Sequence, residues 1–158
     1  MKRIKKHVTI NYKMDTARHG APYTIDNIHY FNHGELMEII VKSCLGYDAI
    51  KESNGRYDVT DDIADIHASV KSNRATLTSV QLGTSFDEIV EAYFKTAPTK
   101  TWIYAILDDD VCTMYIMNQS EFKAFLYRFG YYCKYRNVVR FKADGKKMRL
   151  YLNIRAHC

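Results

Sequence analysis

The sequence is poor in residues that interrupt or cross-link a folded chain. Its 158 residues contain two prolines and no stretch rich in serine and glycine, which argues against a long disordered linker. The four cysteines lie far apart without a C-x-x-C pair, so the spacing of a zinc ribbon or a redox dithiol is missing. We expect free and mostly buried thiols in a reducing compartment.

Long apolar runs are also missing. No segment approaches the roughly 20 apolar residues that a membrane-spanning helix needs, so no membrane association is expected. The basic N-terminus, MKRIKKHVTINYK, lacks the apolar region of a signal peptide. The sequence therefore predicts a cytoplasmic protein. Its length and its hydrophobic content of 47% fit a single globular domain over residues 1–158.

The net charge of +5 is unevenly distributed along the chain. From Phe122 onward there are ten basic residues and one acidic residue, Asp144, whereas acidic residues concentrate between Asp48 and Glu91. A basic end and an acidic centre fit a protein that holds a polyanion close to a cation-binding cluster. An ordinary soluble protein with a polarised surface has the same pattern, and we favour the nucleic-acid interpretation.

Hydrophobic periodicity predicts alternating strands and helices. An edge strand over residues 7–12 and a loop over residues 15–32 precede a helix that begins after Asn32 and ends at Gly46. The further predicted elements are strands over 47–50, 57–59 and 63–72, a helix that begins after the capping residue Ser85 and ends at Pro98, a hairpin over 102–117 that turns at Asp108 to Asp110, a helix after Asn118 and a strand over 138–142. Residues 148–154 fit either a helix or a strand.

The strand over residues 63–72 has two chemically different faces. Alternation places one set of small or apolar residues on one face, namely Ala64, Ile66, Ala68 and Val70. The opposite face is entirely polar and carries Asp65, His67, Ser69 and Lys71. An apolar face suits packing against a helix, and a wholly polar second face is unusual for a central strand.

The stretch RYDVTDDIADIHASVKS, from Arg56 to Ser72, lies within a predicted order of helix, three strands, helix and strand. In this it resembles the PD-(D/E)XK nuclease superfamily over residues 32–117. The resemblance implies an α/β fold with a restriction-endonuclease-like α-β-β-β-α-β core, in which helices flank a mixed central sheet. Residues 1–31 are then an N-terminal strand and loop extension, and residues 118–158 a basic, aromatic C-terminal part.

The resemblance also implies site residues. Asp58 fits the aspartate of the second strand, Lys71 fits the lysine of the acid-x-lysine motif, and Glu38 fits the glutamate of the first helix. Clustered carboxylates hold Mg²⁺ or Mn²⁺, and an adjacent lysine lowers the pKa of the attacking water or stabilises the developing negative charge. The implied metal ligands are Glu38, Asp58 and Asp65.

One position departs from the motif. Ser69 stands where the acid of the acid-x-lysine triplet is expected, and a serine hydroxyl is a poor ligand for Mg²⁺ beside a carboxylate. Asp65 lies on the same predicted face but about 13 Å along the strand, at about 3.3 Å per residue. Asp61 or Asp62 in the preceding connection is an alternative acid. Members of the superfamily relocate this acid, and others have lost activity.

Two functions follow as hypotheses. The first is a Mg²⁺- or Mn²⁺-dependent endonuclease that acts on DNA, from a phage or another mobile element, with a homodimer expected by analogy. The second is an inactive nuclease-fold protein that binds DNA or a protein partner, such as a host-defence inhibitor or a regulatory subunit. The mixture of aromatic and basic residues near the C-terminus predicts nucleic-acid contacts. The candidates are Arg74, Arg128, Tyr132, Lys134 and Arg136, together with Tyr131 and Tyr135 of the same aromatic and basic segment.

Overall fold

The computed structural model describes twelve segments of the chain, and the account of the structure is confined to them. They are residues 1–8, 13–14, 23–25, 28–31, 33–45, 59–61, 66–72, 75–77, 85–97, 99–135, 137–143 and 145–156. In chain order the elements are β1 (Lys2–His7), β2 (Lys13–Met14), β3 (Tyr23–Ile25), β4 (Ile28–Phe31), α1 (His33–Leu45), β5 (Val59–Asp61), β6 (Ile66–Ser72), β7 (Ala75–Leu77), α2 (Phe86–Thr96), β8 (Thr101–Asp108), β9 (Val111–Asn118), α3 (Gln119–Phe129), β10 (Gly130–Cys133), β11 (Val138–Phe141) and α4 (Gly145–Ala156).

The main sheet has five strands in the spatial order β1, β9, β8, β6 and β5. Neighbouring strands run antiparallel except for β6 and β8, which are parallel and are joined through α2. A parallel pair needs a crossover connection of this kind. The predicted α/β class with a mixed sheet flanked by helices is therefore confirmed. The finer restriction-endonuclease-like topology stays a prediction.

Each face of this sheet carries its own hydrophobic cluster. One face, here called the α1 face, packs Val70, Ile103 and Met114 against α1. On the opposite face, here called the aromatic face, Trp102, Tyr104 and several further rings pack against α2, α3, β11 and α4. Burial of a large aromatic side chain removes about 150–250 Å² from water, so the aromatic face makes a dominant contribution to the core.

The aromatic face is built of closely stacked rings. Trp102 and Phe122 are stacked with ring centroids 5.0 Å apart and planes 13° from parallel. The indole N–H of Trp102 donates a 2.8 Å hydrogen bond to the hydroxyl of Tyr93. A buried indole N–H without an acceptor would be costly, so this bond lets tryptophan occupy the centre of the core.

The helix starts follow from local capping, as the sequence predicts. Asn118 accepts a 2.9 Å hydrogen bond from the backbone N–H of Glu121, and the Glu121 carboxylate accepts one from the backbone N–H of Asn118 at 3.1 Å. Ser85 caps α2 through the backbone N–H of Glu88 at 3.3 Å. These bonds satisfy N–H groups that a helix start leaves without partners.

A second sheet of three strands, in the order β10, β11 and β7, closes the aromatic core. Its inner side contributes Leu77, Val139 and Phe141, all buried. Gly130 joins α3 to β10 at a point where a Cβ atom would overlap the carbonyl oxygen of Leu126. Glycine is therefore required by the close approach of two backbone segments at this junction.

Some predicted elements differ from the structure, and others lie wholly or partly outside the described residues. A strand that the sequence did not predict lies at Lys2–His7, and of the strand predicted over residues 7–12 only His7 and Val8 are described. The predicted loop over 15–32 contains β3 and β4, which join β2 in a small sheet. The strand predicted over 57–59 is β5 at Val59–Asp61, and the ambiguous segment near the end belongs to α4. The predicted strand over 47–50, the Asn32 cap and the Pro98 stop lie outside the described residues.

Candidate functional site

Lys71 lies on an interior strand of the main sheet. It belongs to β6, which β8 and β5 flank, and it is in register with Tyr104 of β8. The preceding residue, Val70, is buried on the α1 face. Because side chains alternate along a strand, Lys71 lies on the aromatic face, where it is half-buried.

The described surroundings of Lys71 include a buried aromatic side chain of the neighbouring strand. Tyr104 is fully buried, and its hydroxyl bonds the backbone of Ala143. Within the described residues, β5 pairs with β6 only from Ile66 to Ala68. No ion pair to Lys71 occurs among the described side chains. A lysine without a carboxylate partner leaves its positive charge open to an incoming anionic group.

The acidic residues of the motif fall mainly outside the described part of the chain. Asp58 and Asp65 lie there, and so do Arg74 and Arg136. Asp58 directly precedes Val59, the first residue of β5, and Val59 pairs with Ala68. Ser69 is an interior residue of β6 in register with Trp102. The acid-x-lysine motif would need its carboxylate at this position.

Glu38 is a half-buried residue of α1. That helix covers the α1 face, whereas Lys71 lies on the aromatic face, so the structure does not bring Glu38 and Lys71 onto one face of the sheet. Among the described side chains there is no group of three or more His, Cys, Asp and Glu residues that could hold a metal ion.

A cavity of about 540 Å³ lies at the other end of the aromatic face. Arg3 and Lys5 of β1 line it together with the carboxylate-rich turn from Asp108 to Asp110, and Gly145 lies at its edge. Asp109 has a φ of 50°, as expected in the tight two-residue turn that the sequence predicts between β8 and β9. Lys71 does not line this cavity, whose basic and acidic groups offset each other.

The predicted nucleic-acid contacts divide into exposed and inward-facing residues. Arg128 and Lys134 are exposed. Tyr132 is paired with the buried Val139, packs against the core and donates a 2.6 Å hydrogen bond from its hydroxyl to Asn137. The structure exposes the two neighbouring candidate tyrosines, Tyr131 and Tyr135. Side chains alternate between the two sides of the β10 strand, but the sequence does not determine whether Tyr131 or Tyr132 faces the core.

Two cysteines meet between α1 and β9. Cys44 and Cys112 are within hydrogen-bonding distance, and both thiols are free. Burial, together with the neighbouring Cys44, raises the pKa of Cys112 to about 12. Burial also raises the pKa of Cys44, against a lowering effect of the bond to Cys112 and of the nearby Lys6. Both groups therefore stay protonated at neutral pH. The described cysteines are free, as predicted, but only Cys112 is fully buried.

Comparisons of the chain with models of protein families, with curated proteins and with solved structures found no match. No helix in the described part of the chain is long and apolar enough to cross a membrane.

Proposed function

We propose that the chain is a DNA-acting nuclease of the PD-(D/E)XK type that uses Mg²⁺ or Mn²⁺ to hydrolyse phosphodiester bonds. The observation that carries this proposal is the half-buried Lys71 on an interior strand, without an ion-pair partner among the described residues. An ammonium on a strand interior to the sheet can stabilise a phosphate oxygen whose negative charge increases in the transition state. Lys71 is accordingly assigned to the scissile phosphate and the attacking water.

The arrangement of elements supports the finer topology. The order α1, β5, β6, α2 and β8 supplies the first helix, the second and third strands, the second helix and the last strand of the proposed α-β-β-β-α-β core, and the sheet is antiparallel at β5–β6 and parallel at β6–β8. The first core strand, predicted over 47–50, lies outside the described residues. In this proposal β5 is the strand associated with the aspartate, and β6 is the strand that carries the lysine. β7 belongs to the second sheet, so it is not part of this core.

The register of β5 supports Asp58 as the principal acidic residue. β5 begins beside Ala68, three residues before Lys71 in β6, and it ends with Asp61 beside Ile66, five residues before Lys71. At about 3.3 Å per residue, Ile66 lies about 17 Å along the strand from Lys71. Asp58 precedes the near end of β5 in the sequence, whereas Asp61 is at the far end.

The residues that would hold the metal are Asp58 and Asp65, because Glu38 belongs to the helix on the opposite face of the sheet from Lys71. When bound, Mg²⁺ or Mn²⁺ neutralises phosphate charge and lowers the pKa of a coordinated water. Asp58 contributes a hard oxygen ligand, and Lys71 orients the water or stabilises the negative charge on the phosphate. The carboxylate that Ser69 does not supply is then provided from another position.

The second candidate is a nuclease-fold protein that binds DNA or a protein without cleaving DNA. Ser69 favours this function, because it occupies the interior position of β6 where the motif has its acid. Such a protein needs no metal. Its binding would therefore persist in EDTA and after replacement of Asp58.

The proposal is tested by incubating the purified protein with plasmid, linear and branched DNA in Mg²⁺ and in Mn²⁺. We expect cleavage that EDTA stops and that Lys71→Met and Asp58→Asn each abolish. Lys95→Met is the matched control, since Lys95 is an exposed residue in the last turn of α2. Intact DNA in every assay with a folded protein would contradict the nuclease. DNA binding that survives Asp58→Asn and EDTA would then establish the second candidate.

A further inference from the structure

The β10–β11 hairpin presents an outer side that the hydrophobic core does not use. Val139 and Phe141 of β11 are directed into the core, so the alternating position Arg140 lies on the outer side, paired with Tyr131 of β10. The turn that joins the two strands exposes Lys134 and Tyr135. We call Tyr131, Lys134, Tyr135 and Arg140 the tyrosine surface.

The exposed rings are concentrated here. The large hydrophobic side chains exposed in the described part of the chain are Tyr127, Tyr131 and Tyr135, at 50%, 47% and 95%. Tyr127 is already engaged, because its hydroxyl donates a 2.8 Å hydrogen bond to Asp87 and its ring packs edge-on against Phe86. Among the described residues, Tyr131 and Tyr135 make no ring contact or side-chain hydrogen bond.

The charge of the tyrosine surface has one sign. Lys134 and Arg140 belong to it, and Arg128 is exposed at the end of the preceding helix. From Phe122 onward the sequence contains a single acidic residue, Asp144. The salt bridges among the described residues involve none of these three cations. In addition, Nε of Arg140 is buried without a hydrogen-bond partner among the described residues. A polyanion would supply the missing negative charge.

The combination of rings and cations selects one class of polyanion. Tyr135 is four positions after Tyr131, so at about 3.3 Å per residue their Cα atoms are at most about 13 Å apart, and one strand of nucleic acid can contact both. Bases stack on exposed aromatic rings, while basic side chains follow the phosphates. In a duplex the faces of the bases are already stacked on each other, so this mode of binding requires unpaired nucleotides.

We infer that the tyrosine surface binds single-stranded nucleic acid, with bases stacked on Tyr131 and Tyr135 and phosphates contacted by Lys134 and Arg140. This inference names a binding site separate from Lys71 and requires neither metal nor cleavage. A protein of either proposed function would thereby be directed to DNA that contains an unpaired segment.

The test is fluorescence anisotropy in EDTA, with a labelled single-stranded oligodeoxynucleotide and with the matching duplex. We expect tighter binding of the single strand. Tyr131→Ala and Tyr135→Ala should each weaken it by about 5- to 150-fold, the range that corresponds to 1–3 kcal/mol per stacked base. Lys134→Ala should weaken the binding of both the single strand and the duplex. It should also lower the slope of the binding constant against salt concentration by about the amount of one phosphate contact.

Tyr127→Ala is the matched control, because Tyr127 is as exposed as Tyr131 but is turned toward α2. It should leave single-strand affinity unchanged. Unaltered emission of the buried Trp102 would show that each variant is folded. Equal affinity for single strand and duplex, no binding by the wild-type chain, or equal losses in Tyr127→Ala and Tyr135→Ala would each overturn the inference.

The two proposals fail in different ways. Lys71→Met should leave single-strand binding intact, so an inactive chain that binds single strands rejects the nuclease and keeps the tyrosine surface. Cleavage that persists in Tyr135→Ala, together with unchanged single-strand affinity, rejects the tyrosine surface and keeps the nuclease.

Discussion

The hydroxyl of Tyr104 accepts a 3.0 Å hydrogen bond from the backbone N–H of Ala143 and donates a 3.1 Å bond to the carbonyl oxygen of the same residue. One side chain of β8 thereby holds the connection between β11 and α4 against the main sheet. Both partners are buried, and Tyr104 is the register neighbour of Lys71. A polar contact inside the aromatic core therefore fixes this connection beside the strand that carries Lys71.

Tyr104→Phe should lower the free energy of unfolding by about 1–3 kcal/mol. The substitution preserves the ring but leaves a buried N–H and a buried C=O without their partner. Urea denaturation followed by Trp102 fluorescence measures the change. Tyr127→Phe removes an exposed hydroxyl bond and should change stability by no more than about 0.5 kcal/mol. Equal stability of Tyr104→Phe and the wild-type chain would show that the contact with Ala143 is not structural.

Ser69→Glu should increase metal-dependent DNA cleavage if Lys71 belongs to a nuclease site. The substitution restores the acid two residues before Lys71, and we expect a rate increase of about 100-fold, the scale on which single charge-stabilising groups act in active sites. Ser69→Gln has the same length without the charge and should give no increase. A folded Ser69→Glu protein that cleaves no faster than Ser69→Gln would count against the assignment of this motif.

Asn118→Ala should destabilise the chain by about 1 kcal/mol, because it removes one half of a reciprocal capping box. Ser85→Ala should cost less, since the single bond to the N–H of Glu88 is longer, at 3.3 Å compared with 2.9 Å. Asn118→Asp keeps the acceptor and should retain stability. Unfolding midpoints of the three variants decide the order, and a larger loss in Ser85→Ala would contradict it.

Cys112 should react with thiol reagents far more slowly than Cys133 at pH 8. Its pKa of about 12 leaves almost no thiolate, the reactive form, at that pH. Because this folded-state pKa exceeds the ordinary value of 9.0, the contribution of Cys112 to stability is complete below about pH 9 and is lost as the pH rises toward 12. Mass spectrometry of protein treated with iodoacetamide at several values between about pH 7 and pH 10 gives the alkylation rate of each thiol. Equal alkylation rates at the two cysteines in folded protein would contradict the prediction.

The elements that the sequence predicts well are those whose signals are local. The caps at Ser85 and Asn118 and the turn at Asp109 each depend on residues within four positions of one another. Val70 could be assigned to a buried face because the strand alternates regularly. The order of helix, strands and helix needed no information on tertiary contacts.

The elements that were missed have patterns set by distant contacts. β1 is mostly charged because it is an edge strand with little burial, so it lacks the apolar alternation of a central strand. β7 is only three residues long and is stabilised by pairing with β11. Tyr131 and Tyr132 were both predicted as contact residues because the sequence does not reveal which of two neighbouring tyrosines faces the core.

Whether Glu38 and Lys71 lie on the same face of the sheet was also set by tertiary contacts that the sequence does not reveal. The sequence indicates that α1 packs on a strand face, but not that this face is the one opposite Lys71. A change of one residue in strand phase moves every side chain to the other face.

Because β1 pairs with β9, β1 can join the sheet only after β9 has been synthesised. Lys2 is paired with Ile116, 114 positions later in the chain, whereas β8, β9 and α3 follow one another directly. On the ribosome, the β8–β9 hairpin and α3 can form as soon as they emerge, because their contacts are short-range. The lysine-rich segment of β1 must wait until β9 has been made. Its four basic residues keep it soluble during that interval, so the charge that hides this strand from sequence analysis also protects the nascent chain.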